Sequence, residues 1–198
     1  MRPVLAYHVI FSTYGFWLPN DPRGSGSSEV RAQHLRPFGP ATHVNSPRSV
    51  ANKSHDRPLR LAAKQELKLP EVVLSGHQAL SIANGFNEAV QKYGYLIHAC
   101  SILPQHMHLV IARHRYKIEQ VGRLLKQAGT RRLLAAGRHP FAELRDETGK
   151  LPSIWGRDFR HVFLFSSEAI VSCIKYVEDN PVKDGKLRQS WKFVVPYQ

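Results

Sequence analysis

The sequence predicts an α+β fold of the ferredoxin-like, split βαβ kind: an antiparallel sheet with helices on one face, plus a C-terminal helix. Two observations predict it. Strand-like and helix-like apolar periodicities follow one another in the order β-α-β-β-α-β-α, and the two central strand-like segments are separated by a turn so short that they must pair back as a hairpin.

Leu5 to Thr13 alternates apolar and small residues at a period of two and is rich in β-formers, which predicts the first strand. Composition then changes. From Pro19 to about residue 60 the chain turns to Gly, Pro, Ser, Arg and His, with GSGSS at Gly24 to Ser28 and with Pro37, Pro40 and Pro47, a mixture unsuited to a core. This is read as an insertion within a single domain of 198 residues. Its Arg23, Arg31, Arg36, Arg48, Lys53 and Arg57 suit either a phosphate backbone or a solvated loop.

Ala79, Ile82, Ala83, Phe86, Ala89, Val90 and Tyr93 recur at helical spacing, so Gly76 to Tyr93 is predicted as an amphipathic helix closed by Gly94. Tyr95 to Leu103 predicts the second strand, Pro104-Gln105 a tight turn and His106 to Ala112 the third strand. Ile118, Val121, Leu124, Leu125 and Ala128 define another amphipathic helix, with Lys117, Arg123, Lys126, Arg131 and Arg132 on or near its outer side. Phe159 to Phe165 predicts the fourth strand. Ser166-Ser167-Glu168 supplies a cap and a first-turn acid for a last helix expected to stop before Pro181.

With 28 Lys+Arg against 15 Asp+Glu the net charge is +13 and the pI about 10.1, which favours a polyanionic partner. The positive charge is spread over loops and helices rather than gathered on one basic amphipathic helix, so DNA is favoured over a membrane surface. No apolar run reaches transmembrane length and no secretory leader precedes the first strand; a cytoplasmic, nucleoid-associated protein is expected. Cys100 and Cys173 are isolated in apolar segments and are read as reduced core thiols. No Gly-rich phosphate loop or Ser-His-Asp pattern is present, so no nucleotide cofactor is expected.

The chemistry gathers in two places. Along a strand, residues i and i+2 point the same way, so His106 and His108 share one face while Met107, Leu109 and Ile111 take the other. Two imidazoles so placed either hold a divalent ion with positions left for a phosphate oxygen or are two exposed strand histidines. In the last helix, Ile170, Val171, Ile174 and Val177 read as the apolar stripe, and Tyr176 falls on roughly the opposite side, with Asn180 four residues on. By position alone Tyr176 is either a nucleophile or a surface tyrosine. As a nucleophile it needs help, because a phenol of pKa about 10 is almost wholly protonated at neutral pH. His8 and His98, on predicted strands, either approach the sheet site or, the favoured reading, are packed or hydrogen-bonded structural histidines.

Pro104-Gln105-His106-Met107-His108-Leu109-Val110, followed by Tyr176-Val-Glu-Asp-Asn180-Pro181-Val182-Lys183-Asp-Gly185, resembles the single-tyrosine HUH transposases, of the REP-associated tyrosine transposase type. Tyr7-His8-Val9, Thr13-Tyr14-Gly15 with Trp17-Leu18-Pro19, and Trp155-Gly-Arg-Asp-Phe159-Arg-His161-Val162 add to the resemblance, which spans the chain apart from much of Arg23 to Ala79. Gln105 departs from the Asn or Asp common before the first histidine, and related insertion-sequence transposases place Gln where this chain has Asn180.

The resemblance implies that His106, His108 and Asn180 bind Mg²⁺ or Mn²⁺, with Glu178 and Asp179 as alternative third ligands. It implies that Tyr176 cleaves single-stranded DNA at the foot of a hairpin, forming a 5′-phosphotyrosyl bond and freeing a 3′-hydroxyl. The alternative is a non-catalytic hairpin-binding protein of the same fold. The expected DNA contacts are Arg123, Lys126, Arg131, Arg132, Arg157, Arg160 and Lys183, with Trp17 for base stacking and Trp155 either for base stacking or for the core. Either a monomer or a homodimer is consistent with the sequence.

Overall fold

The computed structural model describes residues 2–23, 27–42 and 54–198; Pro47, Arg48 and Lys53 of the insertion lie outside the described residues. It contains strands β1 (Ala6–Ser12), β2 (Ile97–Ile102), β3 (His106–Ala112) and β4 (Arg160–Leu164). The helices are α1 (Arg57–Gln65), α2 (Gly76–Tyr93), α3 (Ile118–Ala135) and α4 (Ser167–Lys183). The strands form one sheet of order β2-β3-β1-β4 in which every pairing is antiparallel, the split βαβ arrangement.

Strand alternation divides the sheet into two chemically different faces. Val9, Phe11, Met107, Leu109 and Ile111 point to one side and pack with Ile82, Phe86, Val121 and Leu125 of α2 and α3. Each fully buried side chain of this size stabilises the fold by roughly 1.5–3 kcal/mol, which makes this layer the main core. Ala6, Ala99, Val110 and Leu164 point to the other side and meet Ile170 and Val177 of α4. The face that the element order left open is therefore covered by the C-terminal helix.

Local chemistry sets the helix ends. Ser75 and Gln78 form a reciprocal capping box at the start of α2, with Ser75 N–H donating to Gln78 Oε1 at 2.8 Å. Gly94 ends it in the left-handed region at φ 73°. Where α2 crosses α3, a Cβ at Gly85 would lie 2.4 Å from the Ala128 carbonyl oxygen, so only glycine permits this approach.

The structure departs from expectation in four places. α4 does not stop before Pro181 but runs on to Lys183: Pro181 costs the helix one N–H bond and crowds the carbonyl one turn before it, yet Asp184 N–H still reaches the carbonyls of Asn180 and Pro181 and closes the last turn. Its buried stripe is Ile170, Val177, Asn180 and Pro181, whereas Val171 is 56% exposed. The helix is thus rotated from the predicted orientation, and Tyr176 flanks the sheet-facing stripe instead of opposing it. The sequence pattern does not announce α1, which Asp56 caps, and the insertion contributes buried Asp21 and Leu35 and a 3₁₀ turn at Gln33–Phe38.

The C-terminal segment protects one edge of the sheet. The Gln189 amide bonds both the N–H and the carbonyl of Ile102, Trp191 donates to the Cys100 carbonyl, and Val195 N–H donates to the Ile97 carbonyl. Among the described residues no helix is long and apolar enough to cross a membrane.

Candidate active site

The β1–β3 register places Ser12 opposite His106, Ile10 opposite His108 and His8 opposite Val110, so three histidines share the sheet face beneath α4. His8 Nε2 lies 2.9 Å from His108 Nδ1, and their rings stack at 5.1 Å. The His106 ring stands edge-on to His108 at 5.1 Å. Tyr176 descends from α4 onto this group, its ring edge-on to His108 at 5.6 Å and to His8 at 5.8 Å. The two motifs that lie far apart in the sequence thus meet in one place.

His106 is braced from behind. The Phe16 ring stacks on it at 4.9 Å, and the Arg23 guanidinium lies 4.0 Å from the Phe16 centroid. Arg23 is held by the buried Asp21 carboxylate and by the Phe16 carbonyl, so this end of the insertion supports the site instead of reaching for phosphate.

Burial sets the electrostatics. It lowers His8 to about 4, with the Arg160 charge acting the same way. It lowers His106 to about 4 as well, where the Asp184 charge opposes the shift and Arg23 adds to it. His108 is pushed well below its ordinary value by burial, then by His8 and His106. All three rings are therefore neutral at pH 7, and one of His8 and His108 uses its lone pair to accept the hydrogen bond between them. The Tyr176 phenol is raised by burial, Cys173 and Asp184, against the lowering effect of Arg160. Its ring carries the Lys183 ammonium at 4.9 Å.

Asn180 is one helical turn beyond Tyr176, between it and Asp184, whose charge bears on both Tyr176 and His106. It is 8% exposed, and its Nδ2 is buried without a hydrogen-bond partner. Ser101 Oγ, opposite His108 in the β2–β3 register, is also buried without a partner. Unpartnered buried polar groups cost roughly 1–3 kcal/mol each, a cost that a phosphate oxygen accepting from the Asn180 amide N–H would offset, leaving the amide oxygen free for a cation. The donor set, two neutral imidazoles and an amide oxygen, suits a divalent ion. Among the described residues no three His, Cys, Asp or Glu side chains are arranged as a metal cage. Neither alternative ligand is well placed: Asp179 pairs with Arg188, and Glu178 lines a different cavity with His98 and Tyr197.

The expected DNA contacts divide. Arg123, Lys126, Arg131, Trp155 and Arg157 line a groove of about 1180 Å³ on the α3 side of the sheet. Arg160 and Lys183 lie instead with Tyr176. Arg132 turns away and pairs with Glu88 of α2 at 3.3 Å. Two expectations need correction. Trp155 is 7% exposed, packed on Phe11 and donating its indole N–H to Thr130 Oγ1, so its ring belongs to the core and is not a platform for bases. Lys126 is nearly buried and donates to the Gly156 and Asp158 carbonyls, which makes it a clip between α3 and the following loop. Trp17 remains partly exposed against Phe16.

His8, Phe16 and Asp184 are the site residues that sequence reasoning did not assign. The signal for His8 was its parity on β1, which only the register with β3 converts into contact.

No protein-family model matches the chain, and no curated protein matches it. Among solved structures the chain is similar to a REP-associated tyrosine transposase bound to a REP hairpin, with 14% identity and a TM-score of 0.49 over 98% of this chain and 78% of that one. It is also similar to a candidate transposase from Deinococcus radiodurans R1, with 15% identity and a TM-score of 0.43 over 89% of this chain and 91% of that one.

Proposed function

We infer that the protein is a metal-dependent single-stranded DNA endonuclease and strand transferase, a transposase-type enzyme with Tyr176 as nucleophile. The observation that carries the reading is the convergence of Tyr176 on His108 and His8, with Asn180 one turn further along the same helix. A tyrosine turned wholly to solvent would not meet the rings of His108 and His8.

In this reading His106, His108 and the Asn180 amide oxygen hold Mg²⁺ or Mn²⁺. When bound, the ion supplies Lewis-acid polarisation of the scissile phosphate. Tyr176 Oη attacks phosphorus in line and gives its proton up to solvent as the new bond forms, the bond from phosphorus to the 3′-oxygen breaks, and that oxygen leaves as a 3′-hydroxyl after taking up a proton from solvent. The DNA 5′ side is left esterified to the phenol, and a later 3′-hydroxyl reverses the exchange without nucleotide hydrolysis. Because the resting phenol is raised by its surroundings, it stays protonated until DNA arrives. Lys183 over the ring and the Arg160 charge favour the phenolate that the attack requires. A hairpin foot is the substrate that the sequence resemblance suggests.

The test is incubation of the chain with labelled single-stranded hairpin DNA and Mn²⁺, followed by denaturing electrophoresis. A protein-linked product that disappears in Tyr176→Phe, with DNA affinity kept within a few-fold, is expected. Binding without any linked product would leave a hairpin-binding protein in its place.

A further inference from the structure

The alternation of β4 separates two chemistries. Arg160 faces α4 with His8 and Tyr176, while the odd-numbered residues point to the opposite side of the sheet. There Phe159, His161, Phe163 and Phe165 follow one another at centroid distances of 6.1, 5.3 and 6.1 Å, and Tyr7 of β1 lies 5.8 Å from Phe163. The inner end of this ladder is fixed, because Phe159 sits directly on Gly122 of α3, where a Cβ would come within 2.3 Å of the ring. The outer end is open: Phe163 and Phe165 are 47% and 44% exposed.

Phe159 and His161 also line the groove between α3 and the segment leading to β4, so ladder and groove are continuous. Six Lys and Arg side chains line that groove against two carboxylates, Glu119 and Asp158. Both carboxylates have partners, Asp158 with Arg31 at 3.1 Å and Glu119 with His161 at 3.9 Å. The groove therefore presents an excess of positive charge beside a row of exposed rings.

We propose that this groove and ladder form a track for single-stranded DNA on the sheet face opposite Tyr176. Phosphates lie along Arg123, Arg131 and Arg157, and bases stack on Phe163 and Phe165. A cationic groove beside aromatic platforms is the combination that binds single strands without reading sequence. A second copy of the chain docking symmetrically on this face would set one positive groove against another. DNA, as the strand that occupies the track, rests on the proposed function; the affinity for a polyanion with bases rests on the groove and ladder themselves.

The experiment uses the full chain carrying Tyr176→Phe, so that nothing is cleaved, and fluorescence anisotropy with two labelled oligonucleotides of equal length, one of thymidine and one abasic. Phe163→Ala and Phe165→Ala should each weaken thymidine binding roughly 5- to 150-fold, the range for removal of one base stack, and leave abasic binding unchanged. Arg131→Glu with Arg157→Glu should weaken both oligonucleotides and flatten the dependence on log salt by about 0.7 for each phosphate no longer neutralised. Unchanged affinity in all of these variants, with unchanged melting temperature, overturns the track. So does a dimer in size-exclusion chromatography that Phe163→Ala converts to monomer without altering oligonucleotide affinity. Failure of the unsubstituted chain to form a covalent product with hairpin DNA and Mn²⁺, with these binding effects intact, would remove the nuclease reading and keep the track.

Discussion

His8 Nε2 and His108 Nδ1 are 2.9 Å apart across the β1–β3 ladder. One proton lies between them, and its position decides what His108 can do. With the proton on His108 Nδ1, donated to His8, the His108 Nε2 keeps its lone pair for a cation; the orienting partner of a metal-ligating histidine works in this way. His8 suits the role because burial keeps it neutral and able to accept. His8→Ala is expected to weaken Mn²⁺ binding roughly 10- to 100-fold, read by calorimetry or by the Mn²⁺-induced rise in melting temperature. His8→Gln, whose carbonyl can accept the same proton, should recover part of it. Equal Mn²⁺ affinity in all three proteins would show that the pair is only packed.

Asn180 separates a functional from a structural role unusually cleanly. A buried amide that met its hydrogen-bonding needs within the fold would destabilise the protein when truncated, yet its Nδ2 has no partner. Asn180→Ala is therefore expected to change metal-free stability by less than about 1 kcal/mol in denaturant titration, while abolishing the covalent DNA product. A drop of several kcal/mol would mean that the amide is held by the fold and not reserved for a ligand.

Periodicity carried most of the fold. The bounds of α2 and β3 agree with expectation to the residue, because a glycine or capping signal ends one and a turn before His106 starts the other. The rotation of α4 was less legible: Val171 and Val177 lie about 120° apart on a helical wheel, at opposite edges of the apolar stripe, and only the sheet beneath decides that the Val177 edge is buried and the Val171 edge is not. The same limit applies to Trp155 and Lys126. A lysine among arginines reads as a nucleic-acid surface and the tryptophan beside them reads either way, while the close approach of α3 to the Gly156 loop, which buries both, is a long-range packing fact. His8 joined the site through strand pairing, which residue spacing does not encode.

Lys126 offers a pH test. Burial lowers its ammonium to about 8 from 10.5, with Asp158 opposing. Below pH 8 both folded and unfolded chains hold the proton, and the cost of burying the charge is present in full. Between about 8 and 10.5 the unfolded chain holds more protons than the folded one, so stability rises with pH. Compared with Lys126→Met, which cancels the other titrations, the unsubstituted protein should gain stability across that window in urea melts at stepped pH. A constant difference would indicate that the ammonium is solvated and not clipped to the loop.

Arg131 and Arg132 are neighbours that the fold sends to different places, and the pair tests whether the groove or mere net charge holds DNA. Arg131 is exposed and lines the α3 groove, whereas Arg132 reaches back to Glu88 on α2. Each substitution to alanine removes the same single charge from a total of +13, so attraction by overall charge predicts equal effects. A groove predicts unequal ones. Arg131→Ala should lower single-strand affinity and reduce the slope against log salt by about 0.7, the signature of one phosphate left without its cation. Arg132→Ala should leave affinity and slope alone and cost at most about 1 kcal/mol of stability, since an exposed ion pair contributes little. Parallel anisotropy titrations at several salt concentrations decide it: equal weakening in the two variants would assign the binding to the field of the whole protein rather than to side chains along α3.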